Sequence, residues 1–522
     1  MKIALVNPRG TSTPELSIPH GLLQIGAELE AAGHEFKIVN YNDIDIPLNY
    51  EPLKSYDLVG LSVNTLQLAH AKKIAESIGD STKIVWGGIH CLLDPESIMK
   101  SFPAHFLVKG EGEQPLLDIV RHLEGKESID WLAARKGVCF TDKGRRIEND
   151  AFFNEDLNQL HDINYYRLDN LEKYLYSQNF YVPGAEKLGK LSILTARGCH
   201  WNCSFCINTL LARHGGTYRA KSFEKIRRET EPIIDGLGIR FLFPADEDFF
   251  LNKGMPEAIM GYAKEKNFFW GANCRYNYFV EKIINKGKLA EYVDGGLFFI
   301  GMSIEAGDEE IRNSILKKMV KDVHIDNAVD TIENSVGNRL AINTSFIINF
   351  PGDTQENRLK MLLIMDRLSR HLNIVFSGPQ SYRTYPGSTL SELDNEAQGY
   401  KTGDMEYYIK SVSESGTPLS LMDNSTYFYT QAVNYFFNQR FKFFELHEDN
   451  GRFSLHLTTR KKKASLVRKL FLFAVNLLFI PVLIRLRFNF WGCFFEPFIV
   501  GWCMKRINNT FSLYQRLTGR HK

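Results

Sequence analysis

Twice along this chain, short apolar runs alternate with helix-length amphipathic segments, and this repeated alternation restricts the fold more than any single residue does. From residue 2 to about 125 the β-rich runs are Lys2 to Val6, Glu35 to Val39, Asp57 to Val63, Lys83 to Trp86 and His105 to Val108. Helical stretches lie between them near 20 to 33, 66 to 79, 94 to 101 and 114 to 124. Strands separated by helices predict an α/β domain with a doubly wound parallel sheet, whose ligands bind beyond the carboxyl ends of the strands. Turn chemistry sits at those ends, in Asn7-Pro8-Arg9-Gly10, Ser62 to Thr65, Gly87-Gly88-Ile89-His90 and Gly110-Glu111-Gly112-Glu113. Glycines there let the backbone approach a nucleotide-like ligand closely, although tight turns alone would use the same residues.

Between the two alternations, Gly137 to Ile147 alternates around Asp142-Lys143-Gly144 and reads as a β-hairpin, with Cys139 a small apolar residue in it. The Asn-, Asp- and Tyr-rich stretch beyond the hairpin, to about Tyr176, reads as an extended linker. From Leu191 a second alternation places strands near 191 to 196, 239 to 243, 268 to 272, 297 to 303, 340 to 348 and 373 to 377. About six βα units predict a partial (β/α)6 TIM-like barrel, with functional groups at the strand carboxyl ends. The predicted organisation is therefore 1–130, a hairpin and linker over 131–190, a barrel over 191–391, and a C-terminal helical region over 392–522.

The 63 Lys and Arg nearly cancel the 61 Asp and Glu, so no global field draws in nucleic acid or an acidic partner. Eight cysteines in 522 residues do not form a disulfide framework, and the N-terminus enters a strand without an apolar signal core. A reducing cytoplasm fits both observations.

Three of the cysteines are clustered. Thr195 to Cys206 sets Cys199, Cys203 and Cys206 at the spacing C-x3-C-x2-C, directly after the first strand of the barrel. Iron-sulfur clusters ordinarily take four protein ligands, so a compact trio leaves one iron for a ligand from outside the protein. A structural zinc site would want a second ligand pair downstream, and the sequence has none there.

This trio, with Phe205 before its last cysteine, resembles the signature of the radical S-adenosylmethionine (SAM) superfamily. The resemblance implies a 4Fe-4S cluster whose open iron is chelated by SAM, and reductive cleavage of SAM to a 5′-deoxyadenosyl radical that abstracts hydrogen from an unactivated carbon. It also implies SAM contacts at Phe205 beside the last cysteine and at successive strand ends: Asp246, Glu247 and Asp248 after the second strand, Arg275 after the third, Ser303 and Glu305 after the fourth, and Pro351 and Gly352 after the fifth. Carboxylates suit the cationic part of SAM and its ribose diol, and a guanidinium suits its carboxylate. Each acid taken alone reads equally as a helix cap or a solvated loop charge. Lys317 and Lys318 are expected on a helix surface without a role, and Cys274 as a packing residue.

The order Ile18-Pro-His-Gly-Leu-Leu23, Ala31 to Phe36, Gly87-Gly88 and Gly110 to Glu113 is similar to the cobalamin-binding domain that precedes the radical SAM core in one subgroup. That subgroup holds class B methyltransferases and the anaerobic oxidative cyclase of bacteriochlorophyll synthesis. The similarity implies cobalamin contacts at Asn7, Pro8, Ser62, Thr65, Gly87, Gly88, His90, Gly110 and Glu111. The D-x-H-x-x-G motif that supplies a histidine to cobalt elsewhere is absent, and His20 and His90 read as solvated loop histidines.

Beyond the barrel, Tyr385-Pro-Gly-Ser388 resembles the turn that closes this core. Aromatic residues from Tyr427 to Phe444, at spacings near three and four, predict a helix burying its rings. Leu470 to Ile484 and Phe488 to Met504, flanked by Arg460 to Lys463 and Arg485 to Arg487, are apolar. A helix of ~15 residues rises ~22 Å against a ~30 Å hydrocarbon core, so these segments fit a membrane interface or a pair of buried helices better than a span. The reading is a radical SAM enzyme on the cytoplasmic side, peripheral on the inner membrane face, served by a flavodoxin or ferredoxin and acting on an apolar small molecule or lipid. Methyl transfer leads; cyclisation, oxidation or carbon-carbon coupling, and an iron-sulfur sensor or binding module, stay open.

Overall fold

The computed structural model describes residues 1–10, 16–176, 188–382, 388–390, 403–413, 443–449 and 452–458, together with Ile484 and Phe488. The first alternation forms β1 (Lys2–Asn7), β2 (Glu35–Asn40), β3 (Leu58–Ser62), β4 (Lys83–Gly87) and β5 (Phe106–Val108), all parallel. The hairpin β6 (Val138–Asp142) and β7 (Arg145–Glu148) adds antiparallel to the β5 edge, giving the order β2-β1-β3-β4-β5-β6-β7. Charged Arg145, Arg146 and Glu148 on the outermost strand blunt that edge. Chain order reverses between β1 and β3, which is where a doubly wound sheet opens a crevice at its carboxyl end.

The second alternation gives β8 (Lys190–Ile193), a short antiparallel pair β9 (Ala196–Arg197) and β10 (Arg219–Ala220), then β11 (Phe241–Pro244), β12 (Phe269–Asn273), β13 (Leu297–Gly301), β14 (Ala341–Thr344), β15 (Ile347–Ile348), β16 (Ile374–Phe376) and β17 (Gln380–Ser381). Six of these make a parallel sheet in the order β16-β14-β13-β12-β11-β8, the open barrel the sequence predicts. The single strand expected over 340 to 348 divides at Ser345, whose carbonyl turns aside to accept the Ile304 and Glu305 N–H groups.

Residues 157 to 176 do more than link. Ile163, Tyr165, Leu168, Leu171 and Tyr174 are buried in one continuous core with Leu22 and Val85 of the first unit and Ile226 and Trp270 of the second. The spacing Leu168, Leu171, Tyr174, Leu175 puts one apolar face on the short helix Leu171–Tyr176. Each such side chain, fully buried, contributes about 1.5–3 kcal/mol to holding the two sheets together. After the barrel the chain returns to the first sheet. The helix Met405–Ser413 buries Met405 and Tyr408 against the face formed by Val59 and Trp86.

Phe443 and Phe444 correct the aromatic-helix expectation. They begin β18 (Phe443–Asp449), which pairs with β19 (Arg452–Thr458) across the Asn450-Gly451 dipeptide. Asn-Gly between alternating runs is the strongest short hairpin signal and outweighs the helical spacing of the rings. The other aromatics of that run, the Tyr385 turn and the basic-flanked apolar segments lie outside the described residues, save Ser388, Ile484 and Phe488.

Candidate active site

The cysteine loop leaves β9 at Gly198, whose φ of +85° and 2.5 Å clearance to the Thr217 carbonyl admit no side chain. Backbone and hydroxyl bonds pin the loop beyond this glycine. Ser204 donates through its N–H to Leu316 O at 3.2 Å and through its hydroxyl to Ile315 O at 2.6 Å. Thr209 Oγ1 donates to Cys203 O at 2.9 Å, and Cys206 N closes back on the same carbonyl at 3.1 Å. Burial pushes the Cys199 thiol up to about 12 and the Cys206 thiol up to about 11. A metal must therefore ionise these thiols on binding. Among the described residues no three His, Cys, Asp or Glu side chains converge on one point that a single ion would fill. A cubane cluster makes no such demand, because its cysteines bind separate corners.

The acids after β11 divide into different tasks. Asp246 accepts Thr195 N at 2.7 Å, Ala196 N at 3.2 Å and the Thr195 hydroxyl, so its carboxylate anchors the strand exit toward the cysteines. Burial pushes it up to about 6, against the hydrogen bonds from Thr195 and Ala196. Glu247 is exposed and lines the cavity beside Gly198 and Asn208. Asp248 accepts the Trp201 indole N–H at 2.9 Å and is likewise pushed up to about 6 by burial. Arg275 lies under the Trp201 ring at 4.2 Å and donates from Nη1 to Cys203 Sγ at 3.0 Å. Its Nη2 is buried with no hydrogen-bond partner. Three thiols on one pinned loop, beside a buried cation with an unspent donor, fit an anionic iron-sulfur cluster.

Glu305 takes a φ of +75°, costly for a residue with a side chain, and is held there by the Ile347 N–H on its carbonyl at 2.7 Å. Its carboxylate accepts Lys318 Nζ at 2.9 Å, with both partners nearly buried. The helix-surface expectation for Lys318 is thereby corrected. Residues 315 to 321 are irregular, and Lys318 turns inward 6.0 Å from the Phe205 ring while Lys317 stays exposed. Phe205 packs with Ala306, Leu316 and Phe350. Ser303 pairs hydroxyl to hydroxyl with Ser345 at 2.8 Å. Pro351 and Gly352 form a tight turn closed by Asp353 N on Phe350 O at 2.8 Å, and Gly352 at φ +86° faces Ile315, the residue that pins Ser204.

A cleft runs from the first sheet's switch point to the cysteine loop. One part, about 260 Å³, is lined by Gly21, Leu22, Ser62, Gly87, Gly88 and Gly110. A second part, about 290 Å³, is lined by Phe153, Gly198, Asn208, Leu211, Arg219 and Glu247. Gly88, Gly110, Glu111, Leu194 and Arg197 border both. A Cβ on Gly88 would meet Val63 N at 2.5 Å, and one on Gly110 would meet Phe152 O at 2.2 Å, so both must be glycine for the cleft to have this shape. An open, glycine-edged, largely apolar cleft between two domains fits a large planar cofactor such as a corrin.

Not every expected contact reaches this cleft. Asn7 and Pro8 sit beside it, where Gln67 Nε2 bonds Asn7 Oδ1 at 2.8 Å and Pro8 O at 2.6 Å. Thr65 Oγ1 meets His90 Nδ1 at 3.1 Å, and His90 Nε2 meets Ser97 at 3.2 Å. His90 is wholly buried, with burial lowering it to about 4, and both His20 ring nitrogens are covered and unpartnered. The expectation of solvated histidines is wrong for both, because Tyr408 of the helix Met405–Ser413 covers His90, at 5.0 Å between rings, and Tyr165 packs 6.2 Å from His20, whose ring nitrogens are both buried.

Sequence reasoning missed the charges that join the two domains. Arg197 Nη2 donates to Glu113 at 2.8 Å, Arg197 Nη1 lies 3.2 Å from Glu111, and Arg219 Nη1 donates to Glu111 at 3.0 Å. Burial alone would raise the Glu111 carboxyl, but the Arg197 and Arg219 guanidiniums overcome it and hold it below its ordinary value. The only local signal was Glu-x-Glu where the last parallel strand of the first sheet hands over to the helix Glu113–Leu123.

Comparison with known proteins agrees with this architecture. Residues 193–364 match the Radical SAM superfamily and residues 9–120 match the B12 binding domain. An uncharacterized methyltransferase of Pyrococcus horikoshii is 27% identical over 417 residues, covering 75% of this chain and 83% of the relative. The anaerobic magnesium-protoporphyrin IX monomethyl ester cyclase of Cereibacter sphaeroides is 26% identical over 245 residues, covering 45% of this chain and 37% of the cyclase. Among solved structures, the radical S-adenosylmethionine methyltransferase TsrM from Kitasatospora setae, with tryptophan substrate and a SAM analog bound, superposes with a TM-score of 0.59. It is 17% identical and covers 77% of each chain, a likeness of fold.

Proposed function

This chain is a radical SAM enzyme with a B12-binding domain ahead of its radical SAM domain, and from that premise we propose that it transfers a methyl group to an unactivated carbon of an apolar small molecule or lipid. The observation that carries the reading is the single cleft joining the switch point of the first sheet to the cysteine loop. In this reading Cys199, Cys203 and Cys206 hold the 4Fe-4S cluster, and Ser62, Gly87, Gly88 and Gly110 border the cobalamin. When bound, the cluster supplies the electron that splits SAM to a 5′-deoxyadenosyl radical, and cobalamin carries the methyl group. Glu305, joined to Lys318 beside Phe205, and the Pro351-Gly352 turn, next to Phe350 in the same apolar cluster, would orient SAM together with Ser303 in this reading. Arg197 and Glu113 hold the two domains edge to edge, which keeps bulk water from a radical site.

A flavodoxin or ferredoxin is the electron donor in this reading. The basic-flanked segments 461–522 lie on the membrane interface, and their deletion releases the protein from anionic lipid vesicles; unchanged partitioning would sink that assignment. The function itself is tested by anaerobic reconstitution with iron, sulfide and hydroxocobalamin, then addition of dithionite and SAM. Stoichiometric 5′-deoxyadenosine and S-adenosylhomocysteine are expected. The first product without the second would favour oxidation or cyclisation, the reaction class to which the similarity with the magnesium-protoporphyrin cyclase points. Neither product, with cluster spectra indifferent to SAM, would overturn the reading.

A further inference from the structure

Arg275 is expected from sequence to meet the SAM carboxylate, yet its side chain is turned toward the protein's own sulfur. It is about 5% exposed, donates from Nη1 to Cys203 Sγ at 3.0 Å and lies 4.2 Å from the Trp201 ring centroid. Trp201 stands inside the cysteine loop, between Cys199 and Cys203, and is itself tied by its indole N–H to Asp248 at 2.9 Å. Nε reaches Asn277 Oδ1 at 3.4 Å, and Tyr278 packs edge-on to Trp201 at 6.2 Å between rings. The guanidinium is thus fixed by a stack, the Asn277 side-chain amide and a sulfur.

We propose that Arg275 is a positioning residue that sets the reduction potential of the cluster, donating an N–H bond to the Cys203 sulfur and presenting a fixed positive charge to it. The proposal rests on the reading that the three cysteines hold a 4Fe-4S cluster. The physics is direct. Reducing the cluster adds one negative charge shared with its thiolates, and a donor and cation at 3.0 Å stabilise the reduced form more than the oxidised one. Arginine cannot be deprotonated to escape that role, and burial removes the water that would screen it. The effect is to bring the cluster within reach of a flavodoxin-class donor without spending a SAM contact. Trp201 and Asp248 act one step back, holding the planar guanidinium at the sulfur in the way that outer partners orient metal ligands generally.

The test uses the full chain, reconstituted anaerobically and assayed for iron and sulfide, then titrated potentiometrically without SAM while the reduced cluster is tracked by electron paramagnetic resonance. R275M is expected to carry a full cluster with a midpoint clearly more negative than the parent, and R275K to fall between them, since it keeps the charge but not the planar fork. W201F, which loses the bond to Asp248, is expected to move in the same direction by less. A fully loaded R275M with the parent's midpoint overturns the proposal, and so does an unchanged midpoint with weakened SAM binding by equilibrium dialysis, which would return Arg275 to SAM. Where R275M fails to take up iron, parental midpoints in both R275K and W201F overturn it. Failure of the parent chain to assemble any cluster would instead defeat the cysteine reading on which the proposal stands.

Discussion

Arg197 and Glu113 are joined at 2.8 Å, one on the strand that feeds the cysteine loop and the other at the start of the helix Glu113–Leu123, which follows the last parallel strand of the first sheet. Glu113 is 3% exposed, so the pair is far from an ordinary surface contact. Truncating one partner leaves a buried charge without its counterion, which costs roughly 3 kcal/mol. Arg197→Met is therefore expected to lower the urea midpoint and weaken hydroxocobalamin uptake together. R197M combined with E113L should recover much of the stability, because the stranded charge is gone. A single variant as stable as the parent would show that the clamp is idle.

The glycines of the cleft make a sharper contrast. Gly88 has a φ of +87° and Gly110 a φ of +91°, each against a neighbouring backbone, whereas a Cβ on Gly21 would find nothing within 4 Å. G88A and G110A should reduce soluble yield or cobalamin retention several-fold, and G21A should leave the fold intact. The measurement is cobalt retained per protein after gel filtration, and equal behaviour of the three variants would refute the account of the cleft floor.

Most of the parallel strands were legible because they are short, mainly apolar runs such as Leu58–Ser62 and Leu297–Gly301, and this local signature needs no tertiary information. The cysteine trio was legible for the same reason, since its ligands are neighbours in sequence. Arg197 with Glu113, and Lys318 with Glu305, were not legible. Their partners lie far along the chain or across an irregular turn, so each charge alone looks like a solvated one. His90 is hidden from a local reading because its cover, Tyr408, comes from a helix beyond the whole barrel. The stretch 157 to 176 reads as a linker because its Asn and Asp content masks apolar residues at helical spacing.

His90 carries a pH signature. Burial lowers it from 6.5 to about 4, so below pH 6.5 the unfolded chain takes up a proton that the folded chain refuses. Stability from this group is complete above pH 6.5 and is lost as pH falls toward 4, by about 2 kcal/mol between pH 7 and pH 5. His105 and His70, also lowered to about 4 chiefly by burial, act in the same direction. H90Q is expected to flatten, but not abolish, the fall of melting temperature with acid. An unchanged slope would mean that His90 is not buried as a neutral ring.

Asp246 and Glu247 are adjacent in sequence, and the structure assigns them opposite sensitivities. Asp246 receives two backbone N–H groups and a hydroxyl from Thr195 and Ala196, where β8 hands over to β9, while Glu247 faces the cleft and is exposed. D246A would strand those donors in a buried place, at about 1–3 kcal/mol for each group left unpaired. The cysteine loop begins just past Arg197, so the same change should lower iron content after reconstitution as well as the melting temperature. E247A should stay within about 0.5 kcal/mol of the parent in stability, as exposed substitutions do. Should D246A instead keep full stability and iron while losing only SAM affinity, Asp246 would be a ligand to SAM and the anchoring role would fall.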